Sequence, residues 1–99
     1  MKLRPVADAN GQLHGYSFYC PGCKHRHVYF VTGALTWDFN GDVAAPSFTP
    51  SLLNTCDSHP DPTQRRCHLF LTAGKLNYCS DCTHALAGQT IDLPEIETE

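Results

Sequence analysis

Cys20-Pro21-Gly22-Cys23 constrains this chain more than any other stretch, because two thiols separated by Pro-Gly form a tight turn that aims both sulfurs at one point. A second pair, Cys79-Ser80-Asp81-Cys82, stands far along the chain. Two such knuckles offer enough soft donors to close a tetrahedral zinc site of the structural kind. A fold that uses them must bring two distant segments together.

At 99 residues there is room for one domain, 1–99, and a domain of this size buries only just enough apolar surface to offset its chain entropy. A metal that staples distant segments supplies what such a core lacks. Hydrophobic residues make up 41% of the sequence and charged ones 17%, which places it among folded chains. Seven Lys and Arg stand against ten Asp and Glu, and the only local basic cluster is Arg65-Arg66. That argues against a nucleic-acid partner, since such binding draws on clustered cations that neutralise phosphates. No apolar run follows Met1 to Pro5 and no stretch reaches membrane-spanning length, so the expected compartment is the cytosol. In a reducing compartment six cysteines and six histidines point to metal binding rather than to disulfides.

Lys2 to Ala7 and Leu13 to Tyr19 flank Asn10-Gly11, the strongest short hairpin signal. His27 to Thr32 is β-branched and aromatic, so the first knuckle is expected to join two antiparallel strands as in a zinc ribbon. Leu35 to Gly41 alternates Leu, Trp and Phe with polar residues. Pro46 and Pro50 cannot donate to a central ladder, so Ala44 to Leu53 is expected as an edge strand or a loop pressed on the core. Asn54 to Gln64 follows as a polar loop. Cys67 to Thr72 and Lys75 to Cys79 form a hairpin across Ala73-Gly74, with Cys67, Leu69 and Leu71 on one face and His68 and Phe70 on the other. Asp81 to Ala87 is expected as one helical turn capped by Asp81 and ended by Gly88, Thr90 to Leu93 as a last strand, and 94–99 as an acidic tail. The fold class is mostly β, a small antiparallel domain with zinc-ribbon-like knuckles. Its expected core is Phe18, Tyr29, Val31, Trp37, Phe39, Phe48, Leu69, Leu71, Leu76 and Ile91.

Six residues compete for the metal: Cys20, Cys23, Cys67, Cys79, Cys82 and His84. Zinc is the expected ion, although thiolate tetrahedra suit iron as well. Neighbouring Cys67 and His68 point to opposite faces of a strand, so one metal takes only one of them. His68, Asp81 and His84 form a second polar cluster, which as an open zinc site would make a metal-dependent hydrolase. Cys56 and His59 read as part of a surface loop. His25-x-His27 with Asp38 has the bare ligand spacing of zinc metalloproteases that remove ubiquitin-like tags, but Leu35 stands where that family needs a serine. Ser51 has no nucleophile-elbow glycines around it, and the sequence shows no other assembled catalytic set.

Cys-Pro-Gly-Cys at 20–23, Trp37-x-Phe39-x-Gly41, Pro46-x-Phe48-x-Pro50-Ser51-Leu52, Cys67-His68-x-Phe70 and the run from Asp81 to Thr90 together resemble a small uncharacterised family of bacteriophage and prophage proteins. Its members are sometimes labelled ammonia monooxygenase, a label at odds with the absence here of a membrane span and a copper site. The resemblance implies a phage-encoded zinc protein of the host cytosol, and an often apolar residue at the position of Cys79 shifts ligand weight to Cys67, Cys82 and His84. The function expected on these grounds is a non-enzymatic accessory protein that acts by binding a host or phage protein partner, inhibiting or redirecting it. The metal-dependent hydrolase is the alternative.

Overall fold

Alternation with a period of two sets most of the strands. It is cleanest in Arg66–Thr72, where Cys67, Leu69 and Leu71 are buried and Arg66, Phe70 and Thr72 are exposed. The computed structural model describes residues 2–34, 36–55, 60, 61, 63 and 65–96. Leu35, Cys56, His59 and the end of the acidic tail lie outside the described residues.

Strands β1 (Arg4–Ala7), β2 (Leu13–Cys20) and β3 (His25–Phe30) form a three-stranded antiparallel sheet in that order. A five-stranded antiparallel sheet follows in chain order: β4 (Asp38–Phe39), β5 (Phe48–Thr55), β6 (Arg66–Thr72), β7 (Lys75–Tyr78) and β8 (Thr90–Asp92). The β6–β7 turn places Ala73 and Gly74 at φ 50° and 76°, the left-handed pair that matches the twist of a two-residue hairpin. The fold is thus the mostly antiparallel β domain that the sequence predicts.

The two sheets meet through a column of rings. Phe18 of β2 stacks on Tyr29 of β3 at 5.4 Å, Tyr29 on Phe48 of β5 at 4.2 Å, and Phe48 on Phe39 of β4 at 4.6 Å. Leu69, Leu71 and Leu76 complete the buried face of the second sheet. Val31, Trp37, Phe39 and Ile91 are only partly buried against this core, while Leu3, Leu52, Tyr78 and Leu93 join it.

Two local expectations need correction. β5 is not an edge strand or a loop, because it pairs with β4 on one side and β6 on the other. Its pairing runs from Phe48↔Leu71 to Leu52↔Leu69, so four steps of β5 span two of β6 and the chain bulges between them. Pro50 sits in that bulge, where no ladder hydrogen bond is required of it. Residues 81–87 form turns and not a helical turn: Ala87 N–H donates to His84 O at 3.2 Å and Gln89 N–H to Leu86 O at 3.0 Å. Asp81 does not cap a helix there, since its carboxylate is engaged by β6 side chains.

Candidate functional site

One inner cluster gathers where the first knuckle meets the second sheet. Cys20 closes β2, Cys67 lies near the start of β6, and His84 is held by the turns that follow β7. With Cys23 they place four ligand atoms within 4.8 Å of one another, a group that can hold a metal ion. All three cysteines are buried. Cys20 and Cys67 are free thiols, whereas Cys23 is disulfide-bonded, against the expectation of metal binding without disulfides, and it can ligate a metal only once reduced. The Sγ atoms of Cys20 and Cys67 are 3.8 Å apart, and His84 Nε2 is 3.4 Å from Cys67 Sγ. Metal–sulfur bonds of ~2.3 Å put two sulfurs of a tetrahedron ~3.8 Å apart, so the donors are already at ligand spacing.

Electrostatics at the cluster suit a cation. The hydrogen bond with Cys67 holds the Cys20 thiol far below the ordinary thiol range, with burial opposing, and the same bond pushes Cys67 up. One proton is therefore shared by two sulfurs. Tyr78 OH, 3.1 Å from Cys20 Sγ, and the Cys23 N–H, 3.5 Å away, stabilise negative charge on that sulfur. Burial lowers the pKa of His84 and keeps it in the neutral form a ligand needs.

Gly22 has no side chain for a spatial reason. A Cβ there would fall within 3.0 Å of His84 ring atoms. Gly22→Ala is therefore expected to displace His84 and weaken metal binding by about tenfold or more, measured by competition with a chromophoric chelator. Unchanged affinity would remove His84 from the ligand set.

The opposite face of β6 carries a different arrangement. His68 Nε2 lies 2.9 Å from Ser51 Oγ, while His68 Nδ1 lies 3.2 Å and 3.3 Å from the two carboxylate oxygens of Asp81. A hydroxyl, an imidazole and a carboxylate thus stand in line, the order in which a serine hydrolase arranges its nucleophile, base and orienting group. The β5 bulge brings Ser51 beside His68, and Trp37 Nε1–H fixes its backbone by donating to Ser51 O at 3.2 Å. Asp81 is placed by a loop stapled to β6. Thr83 Oγ1 accepts the Arg66 N–H at 2.8 Å, and Cys82 Sγ accepts the His68 N–H at 3.2 Å while donating to His68 O at 3.0 Å. Partial loss of solvent pulls the Asp81 pKa up, but hydrogen bonds from Arg66 and His68 outweigh it and hold the carboxyl below its ordinary range. The carboxylate therefore stays ionised as pH falls past the value at which an ordinary aspartate protonates, and its hold on His68 is lost only on further acidification.

The six candidate ligands thus divide. Cys20, Cys23, Cys67 and His84 converge, whereas Cys82 brackets the His68 backbone and Cys79 stands near the outer face, with ligand atoms of His68, Cys79 and Asp81 within 4.8 Å of one another. His84 belongs with the thiols and not with His68 and Asp81. Sequence reasoning missed Ser51 as a partner of His68. The one available signal was Pro50 within a β-compatible run, which marks a bulge.

The model of the family described as "Bacterial ubiquitination-like system serine protease (BubE)" matches residues 3–79, a span that includes Ser51 and His68 and ends before Asp81. No curated protein and no solved structure matches the chain.

Proposed function

This chain belongs to the BubE family, and from that premise we propose that it is a serine protease of a bacterial ubiquitination-like system, with Ser51 as nucleophile, His68 as base and Asp81 as the orienting carboxylate. The observation that carries the reading is the 2.9 Å approach of Ser51 Oγ to His68 Nε2. Ser51 Oγ attacks the scissile carbonyl as its proton passes to His68 Nε2. The amide C–N bond breaks, the leaving amine takes that proton, and an ester on Ser51 remains. Water, deprotonated by His68, then cleaves the ester and returns the serine. Throughout, Asp81 keeps the Nδ1 proton in place and stabilises the imidazolium.

Zinc is the ion we assign to Cys20, Cys67 and His84 with Cys23 in its reduced form, since three thiolates and one imidazole make a closed structural donor set. Bound there, it would tie β2, β6 and the loop after β7 together; its donor Cys67 points to the face of β6 opposite His68, so the hydrolytic steps are left to Ser51, His68 and Asp81. Leu53, 63% exposed, lies opposite His68 in the β5–β6 pair, and Phe70, 42% exposed, follows two residues along β6. Exposed apolar groups at this position suit a polypeptide, so the protein partner expected from the sequence is read as the substrate. Bacteriophage origin and a cytosolic setting stay expectations of the sequence; among the described residues no helix is long and apolar enough to cross a membrane.

The test is covalent. A fluorophosphonate probe is expected to label the purified protein at Ser51, located by peptide mass spectrometry, and labelling should vanish in Ser51→Ala and His68→Ala proteins that keep their thermal transition. Labelling at another residue, or equal labelling of the variants, would sink the assignment.

A further inference from the structure

The His68, Cys79 and Asp81 side chains converge on the exposed side of β6, and the serine-protease reading uses only two of them. Their ligand atoms lie within 4.8 Å of one another. Cys79 is held there by its backbone, since its N–H donates to His68 O at 2.8 Å and continues the β6–β7 ladder by one step. Asp81 is fixed from the other side by Arg66 Nη1 at 3.3 Å. The sulfur is half-buried and the carboxylate exposed, so a solute ion can reach them and modest rotamer changes can close the remaining distance.

We infer that His68, Cys79 and Asp81 form a second metal site, selective for a thiophilic divalent cation such as Zn²⁺, whose occupancy switches off His68 as a base. A nitrogen, a thiolate and one carboxylate oxygen suit zinc and its late-transition neighbours, not Mg²⁺ or Ca²⁺, which take oxygen donors. Three protein ligands leave the fourth position to water. The inhibition rests on the triad reading and follows from tautomer chemistry. Without the ion, His68 carries its proton on Nδ1, toward Asp81, and Nε2 faces Ser51 with a lone pair. With the ion on Nδ1, the neutral ring carries its proton on Nε2, which then donates to Ser51 Oγ and can no longer accept from it. The Cys79 thiol proton goes to solvent, and Asp81 exchanges its hydrogen bond for a metal bond.

The experiment begins with protein holding one zinc per chain, to which ZnCl₂ is added. Native mass spectrometry is expected to show a second ion in the wild type and none in Cys79→Ser or Asp81→Asn. Fluorophosphonate labelling of the wild type should fall as the second ion enters and recover on brief exposure to a mild chelator. Cys79→Ser should label at the wild-type rate without added zinc and need roughly tenfold more zinc, or above, to lose labelling. A wild type that stays at one ion under excess zinc overturns the site, and so does a second ion that persists in both variants. Equal zinc sensitivity of wild type and Cys79→Ser overturns the inhibition. Because ion counting does not depend on catalysis, a second ion on a protein that never labels would retain the metal site and reject the protease reading alone.

Discussion

Protein stripped of metal by a strong chelator, or carrying Cys67→Ser, is expected to lose its cooperative thermal transition and its Ser51 reactivity together. The magnitude follows from comparing two quantities. Structural zinc contributes about 10–16 kcal/mol of apparent binding energy in small domains, while the whole stability of a domain is about 5–15 kcal/mol. Loss of the first is therefore comparable to the whole of the second. Here the dependence is sharpened by geometry, because Cys20 and Cys67 are fully buried and come from different sheets. Without a cation their shared negative charge lies in a site with almost no solvent, a cost of several kcal/mol for an unpaired ion. Circular dichroism and a thermal melt with and without chelator measure the effect, and re-addition of zinc should restore both signals. A melt that is unchanged by complete metal removal would mean that the cluster is held by its thiols alone.

Asp81→Asn is expected to lower kcat about ten-thousandfold with fold and structural metal intact. The amide can turn its NH₂ toward His68, which favours the tautomer with the proton on Nε2 and removes the base facing Ser51. Steric volume hardly changes, so a packing effect is not expected to contribute. The variant also breaks the contact of Asp81 with Arg66, an exposed pair with side chains 56% and 44% accessible, which carries little stability in any case. Single-turnover acylation kinetics separate the outcomes: a loss confined to kcat supports an orienting role, whereas a loss confined to KM would place Asp81 in substrate binding. Wild-type acylation would remove it from the triad.

Much of this was legible in the residues, for reasons that differ by site. Cys20 and Cys23 are readable because their relation is local, set by a four-residue turn. The opposition of Cys67 and His68 is readable because a strand alternates, and burial follows that alternation through β6. Ser51 was not readable, since its approach to His68 depends on the β5–β6 register and on the bulge at 49–51, a long-range pairing with no local signature. The same bulge explains the misjudged strand: proline excludes a regular ladder, and β5 is interior because its irregularity is placed at the proline. Asp81 to Ala87 had the residues of a capped helical turn, but tertiary bonds from Arg66 and His68 claimed the capping carboxylate. With Cys79 and Cys82, spacing suggested a knuckle, but Cys79 stands half-buried beside His68 and Asp81, and Cys82, although buried in the core near Cys67, has its sulfur engaged by the His68 backbone.

Cys67 and His68 are consecutive residues that serve opposite sides of one sheet, and this sets how the chain tolerates insertions and deletions. One residue gained or lost within β6 exchanges the two sides for everything beyond the change. When the change precedes Cys67, the sulfur faces water and the imidazole faces the core, so the staple and the base fail in the same step. Length variation there has no partial outcome, whereas substitutions can injure either side separately. A library of point variants at 66–68 should therefore contain folded, inactive proteins, and single-residue indels immediately before Cys67 should yield none.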